Sequence, residues 1–372
     1  MTSRRGDSPL VAWSLLVAGL LATVYAWQFL RQPVATSDFR IFYVSADNPP
    51  ERMYEAPPGV RSNMNPPQFQ LLMRPLTAFS LATAEAVFRA LSVAGLALSV
   101  GWLWWLSRAS AEPWGIADIG ALLAWVPMAS VIALNEVTWL LWPLLVCTWS
   151  CWRRERWTPG AIAFGIALSL KPFLGVFLLW LAVARRWRPA ATAVAACLAA
   201  YGVAAAAYGV RVFPAWWRAL DSVRWWWAPM NASLQGMIAR TVAPAGAVTS
   251  AAPSWVAPLA VSVDVMLVAA ALVRTRGRTI EESWTLLMAT ALLASPLGWI
   301  YYIWWVVPGV RPVRLLFRSP LLWVPYAFVT VQPPNRLIAA TLASMYFWGL
   351  FLLWLEEFRP SREGLSRSLA AQ

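Results

Sequence analysis

Stretches of about 20 residues with almost no charge recur along this chain, and they constrain its fold more than any other feature. Residues 9–30, 84–106, 189–208 and 255–273 are apolar and nearly charge-free. Each is about as long as a hydrocarbon core is thick, so the sequence predicts transmembrane helices. With 60% hydrophobic and only 13% charged residues, the 372-residue chain has more apolar surface than a water-soluble fold can bury. The first stretch follows Arg4 and Arg5 as a signal peptide would. It is longer than the usual h-region and ends at Arg31 and Gln32 with no small-residue cleavage pattern, so it reads as a membrane anchor.

The net charge of +13 does not indicate a nucleic-acid binder, because the arginines form short clusters at the ends of apolar stretches. These clusters lie at Arg4 and Arg5, at Arg108, at Arg153 to Arg156 and at Arg185 to Arg188. They continue at Arg274 to Arg278, at Arg311 to Arg318 and at Arg359 to Arg367. Cytoplasmic loops concentrate Arg and Lys, so if every cluster is inside, the chain crosses an even number of times between neighbours. Residues 159–184 then read as two half-length helices, each about 13 residues or roughly 20 Å, meeting at Lys171 and Pro172. By the same logic 281–310 is a hairpin with its tip at Ser295 to Gly298, and 319–358 is a hairpin with its tip near Gln332 to Asn335. The expected fold is all-α and polytopic, a single domain over 1–372. It has about twelve membrane-embedded helices including short re-entrant hairpins, and both termini are inside. The polar segments 31–82 and 209–253 fall outside as interfacial helices covering the site.

Lys171 is the only lysine among 30 basic residues, and it lies in an apolar hairpin. An ionisable group there marks a functional site by default, with a phosphate, pyrophosphate or carboxylate as its partner. The alternative is a lysine that snorkels from a helix end to the interface. Asp38, walled by Phe39, Phe42 and Tyr43, suits a general base that deprotonates an acceptor hydroxyl. It suits equally well an N-cap for a helix over 39–46. Arg40, Arg218, Arg224, Arg240 and Arg336 are external arginines able to fork a phosphate, or else interfacial anchors. Tryptophans 216, 217 and 225 to 227 read as an aromatic belt. Asn231, Ser233 and Gln235 form a polar run that could cap the helix to Val242. Cys147, Cys151 and Cys197 fall in or beside apolar stretches, where packing is their expected role. With no histidine, Walker loop or metal-ligand spacing, no metal and no cofactor is expected.

These segments, in this order, resemble the GT-C integral membrane glycosyltransferases, in particular the polyprenol-phosphate-mannose-dependent mannosyltransferases of glycosyltransferase family 87. The resemblance spans nearly the whole chain. It rests on Ser37-Asp38-Phe39 with Tyr43, on Tyr54, on Asn65-Pro66-Pro67 to Arg74-Pro75-Leu76, and on Leu170-Lys171-Pro172. Arg185-Arg186-Trp187-Arg188, Asn231-Ala232-Ser233-Leu234 with Arg240, and Ser295-Pro296-Leu297-Gly298-Trp299 complete it. It implies that Asp38 is the catalytic base, that Lys171 with Arg240 meets the donor phosphate, and that Tyr43, Asn65, Asn135, Asn231, Tyr301 and Tyr302 line the substrate site. The implied reaction passes a sugar from polyprenyl phosphate to a glycolipid or polysaccharide acceptor. Transfer would be inverting and would occur at the extracytoplasmic face of the cell membrane. The chain departs from the family pattern in two places. Tyr301 and Tyr302 stand where the family usually has histidine, and Leu134-Asn135-Glu136-Val137 replaces its Gly-Gln-x-Asn turn. A competing reading is a lipid or solute flippase with broken helices, which would need an internal sequence symmetry that is not seen.

Overall fold

The computed structural model describes residues 38–55, 63–109, 113–134, 138–222, 227–242, 253–324 and 333–358, with isolated positions within 9–20 and at 326 and 329. Most of the expected first span, together with Ser37, Asn135, Arg224, Trp225, Trp226 and Gln332, lies outside the described residues. The chain is all-helical, with 80% helix and no strand among the described residues. Four helices are long and apolar enough to cross a membrane: Leu81–Ser107, Trp187–Tyr208, Val256–Arg274 and Arg336–Glu356. The first three match expected spans. The fourth is interrupted at Thr341, whose backbone (φ −100°, ψ −86°) leaves the helical region. The chain forms two compact units, Met1–Trp225 and Trp226–Gln372.

In the first unit, α1 (Asp38–Asp47) and α2 (Pro67–Met73) precede the long α3 (Leu81–Ser107). Helix α3 starts where Ser80 Oγ accepts the Thr83 N–H, an ordinary N-cap. Its inward stripe, Ala84, Phe88, Ser92, Leu96, Ser99, Leu103 and Leu106, recurs every three or four residues. Leu91, Leu98 and Trp105 stand exposed on other faces, as expected of a helix that meets lipid. Next come α4 (Ile116–Ala124), α5 (Val126–Leu134), α6 (Thr138–Arg153) and α7 (Trp157–Leu170).

Helix α7 stops at Lys171 because Pro172 disfavours helical backbone at the residue before it, and Lys171 takes φ −137° and ψ 87°. A 3₁₀ turn (Pro172–Gly175) leads into α8 (Val176–Val183). The chain reverses here. Phe164 and Phe177 meet at 5.7 Å between ring centroids, and Trp152 touches both Trp157 (6.0 Å) and Trp180 (5.9 Å). Helix α9 (Trp187–Tyr208) packs along α7 so closely that a Cβ on Gly165 would collide with the Ala193 carbonyl. Small residues at such a crossing let two membrane helices approach. Helix α10 (Val212–Ser222) closes the unit, burying Val212 and Ala219 against Met53 and Tyr54 while Trp217 stays exposed.

The second unit contains α11 (Leu234–Val242), α12 (Val256–Arg274) and α13 (Ile280–Leu293). Helix α13 begins in a capping box between Thr279 and Glu282, and is buried on nearly every side. A 3₁₀ helix (Ile300–Gly309) runs back along it, with Trp284 Nε1 donating to the Trp305 carbonyl at 2.8 Å. Residues Ser295 to Gly298 form the tip between them. Short α14 (Pro312–Arg318), α15 (Arg336–Ala340) and α16 (Met345–Glu356) complete the unit. Its basic end is tied by Arg318 to Glu357 at 2.8 Å and by Arg274 to the carbonyls of Glu357 and Phe358.

Candidate functional site

The site in the first unit is built on the Lys171 reversal. Ending α7 at Lys171 places its side chain at the tip, where Nζ donates to Asn65 Oδ1 at 3.1 Å across 106 positions of sequence. Asn65 itself is buried and fixed from several directions. Its N–H and Nδ2 donate to Asn63 Oδ1 at 2.9 and 3.2 Å, and its carbonyl accepts from Tyr54 OH at 2.9 Å. Trp216 of α10 donates to the Met64 carbonyl at 3.0 Å. Burial pushes the Tyr54 phenol well above its ordinary range, so it stays a neutral donor. One turn on, Gln68 donates through Nε2 to the Ser169 carbonyl, two residues before Lys171. The segment 63–68 is therefore clamped over the hairpin tip.

Asp38 is the first residue of α1 and is partly exposed. Phe39 packs on Phe88 (4.9 Å) and Phe42 on Phe69 of α2 (5.0 Å), which fixes α1 against the helix that carries Gln68. Tyr43 directs its hydroxyl to the Phe79 carbonyl at 2.8 Å. Arg40 is partly exposed on the same helix.

Of the other expected site residues, Asn231, Arg240, Tyr301 and Tyr302 lie in the second unit. Asn231 pairs with Trp299 in an isolated bridge, flanked by Ala232 N–H to the Gly298 carbonyl (2.7 Å) and Ile300 N–H to the Met230 carbonyl (2.9 Å). Its side chain donates to the Pro296 carbonyl at 3.0 Å and accepts from the Gly298 and Ser233 N–H groups at 2.9 and 3.1 Å. A Cβ on Gly298 would strike the Leu292 carbonyl, so this tip requires glycine. Arg240 is fully buried. It donates to the carbonyls of Ala228 (2.7 Å) and Asn231 (3.0 Å) and to Ser344 Oγ (3.0 Å). Burial lowers its pKa to about 9, which leaves it charged at neutral pH. Tyr301 and Tyr302 are buried in an aromatic stack, with Tyr301 on Trp299 (5.9 Å) and Tyr302 on Trp305 (4.7 Å).

The structure thus joins Lys171 to Asn65, and Asn231 to Arg240, while Asn135 lies outside the described residues. Sequence reasoning missed Asn63, Gln68 and Gln70. Gln70 is fully buried, with no hydrogen-bond partner for either amide atom among the described residues. Four amide side chains around a Pro-Pro pair within eight residues, 63–70, were the available signal. Among the described residues no three Asp, Glu, Cys or His side chains gather to hold a metal ion.

The fold and the site define a helical membrane protein with a buried polar centre at a broken helix. A family model for glycosyltransferase family 87 matches residues 63–296, a region that holds Asn65, Gln68, Lys171, Asn231 and Arg240. The chain belongs to glycosyltransferase family 87 and is a glycosyltransferase of the hexosyltransferase class. No curated protein and no solved structure is matched by it.

Proposed function

We propose that the chain transfers mannose, or a closely related sugar, from a polyprenyl-phosphate donor to a glycolipid or polysaccharide acceptor at the outer face of the cell membrane. The observation that carries this reading is the Lys171 ammonium held on Asn65 at a helix break, in a chain of family 87. A cation fixed beside a buried amide suits a leaving group that departs as a phosphate monoester anion. In this reading Asp38 takes the proton of the acceptor hydroxyl. The acceptor oxygen then attacks the anomeric carbon, the bond from that carbon to the phosphate oxygen breaks, and the configuration inverts. Lys171 neutralises the departing phosphate. The guanidinium of Arg240 is already committed to two carbonyls and Ser344, so we assign it to shaping the 228–231 segment. In the chain, the hairpin tip held by Asn231 precedes Tyr301 and Tyr302, whose hydroxyls can donate to sugar oxygens but do not titrate near neutrality.

Both compact units serve one catalytic domain in this proposal. In it, about twelve elements are membrane-embedded, with the Lys171 and Ser295 hairpins re-entrant from the outside and the polar segments 31–82 and 209–253 on the outer face. Family membership does not favour the transporter alternative. Asp38→Asn is expected to reduce sugar transfer from radiolabelled polyprenyl-phosphate mannose by about 10²–10⁴-fold at unchanged expression. Full transfer by that variant overturns the assignment of Asp38 as base.

A further inference from the structure

The basic end of the first unit contains a repeated device that the glycosyltransferase chemistry does not use. Arg156-Trp157-Thr158-Pro159 and Arg186-Trp187-Arg188-Pro189 repeat the pattern Arg-Trp-x-Pro, and each opens one of the paired helices α7 and α9. Each follows the same turn. Glu155 (φ 58°) and Arg185 (φ 57°) take the left-handed conformation, and the next N–H closes back at 2.8 Å onto the Cys151 and Leu181 carbonyls respectively. That closure normally places glycine in the left-handed position. These are the only non-glycine residues with positive φ among the described residues, and both belong to this device. Strained backbone of this kind points to function.

The two turns lie at one end of the unit because the chain reverses at Lys171. The Arg186 guanidinium sits 4.4 Å above the Trp157 ring of the other turn, and Arg154 lies 5.9 Å from Trp105 of α3. Between 153 and 188 the chain carries six arginines against one acid, Glu155. Arg156, Arg185, Arg186 and Arg188 are exposed. Along the same two helices, Ile162, Ile166, Val194 and Leu198 are also exposed. Forked cations therefore stand at the end of an apolar flank, with indoles at the boundary.

We infer that the twin Arg-Trp-x-Pro turns form a docking surface for the headgroups of anionic phospholipids. Their phosphates would meet the guanidinium groups while the acyl chains lie along α7 and α9. A general topology signal needs only positive charge. Here the arginines instead flank two left-handed turns of the same build, and Arg186 of one turn packs on the Trp157 ring of the other.

The test uses the full chain in nanodiscs of mixed phosphatidylglycerol and phosphatidylcholine, with co-retained lipid counted by native mass spectrometry. Wild type is expected to retain phosphatidylglycerol preferentially. R156Q/R186Q/R188Q is expected to lose that retention by roughly fivefold for each arginine removed. R211Q, which removes exposed charge just before α10, is expected to behave as wild type. Equal retention of the two lipids by wild type, wild-type retention by the triple variant, or an equal loss in the control overturns the proposal. If the triple variant does not fold, a salt titration of wild type decides. Retention that falls with added NaCl supports the surface, and retention indifferent to salt overturns it.

Discussion

At the residue scale, the Lys171–Asn65 contact separates charge from placement. Lys171→Met removes the cation itself and should lower kcat/KM by about 10²-fold or more, the size expected when a charge on a developing anion is lost. Asn65→Ala leaves the ammonium in place but unaligned, and about 10-fold is expected, close to one net hydrogen bond. Both are read in the transfer assay against a thermal-unfolding control, and equal losses would mean that Asn65 does more than orient the lysine. Tyr54→Phe deletes the donor to the Asn65 carbonyl and should cost roughly 1 kcal/mol of stability. Burial holds the phenol protonated, so its folded pKa lies above its unfolded value. Its stabilising bond is fully present below the unfolded pKa, and the loss in Tyr54→Phe should stay constant between about pH 6 and 9 when unfolding is followed by fluorescence.

At the element scale, the expected chemistry sits at two chain reversals, one set by local covalent geometry and the other by long-range hydrogen bonds. Pro172 ends α7 in the first unit. In the second, Asn231 and Gly298 hold the tip between α13 and the 3₁₀ helix. Asn231→Ala removes one donor and one shared acceptor from buried backbone groups and should destabilise by about 2–4 kcal/mol. Asn231→Asp keeps the acceptor, loses the donor to Pro296 and should fall between alanine and wild type. Hydrogen exchange at the Gly298 and Ile300 amides checks the mechanism, because protection there should drop before that of α13. Both reversals were legible in the sequence, since Lys-Pro and Ser-Pro-Leu-Gly are strong local breakers. The clamp over the Lys171 tip was not, because the hydrogen bonds of Asn65, Gln68 and Trp216 that build it join residues 101 to 152 positions apart.

At the scale of the whole molecule, the apolar helices should govern how the chain is held. Alkaline or high-salt washing of membranes should leave it in the pellet by immunoblot, and only detergent should release it, because burial of some 20-residue apolar spans does not depend on charge pairing. Three of those spans could be read from length and composition alone, since a hydrocarbon core imposes the same minimum length on any helix that crosses it. The sequence by itself also determined the helical class, the break at Lys171 and the family resemblance. Only the tertiary structure decided that Lys171 meets Asn65, that Asn231 and Arg240 hold backbone, and that two Arg-Trp-x-Pro turns come together at one end. Local propensity and hydropathy depend on neighbours a few residues apart and so are written along the chain. Contacts across a hundred residues depend on how helices pack, which no single segment specifies.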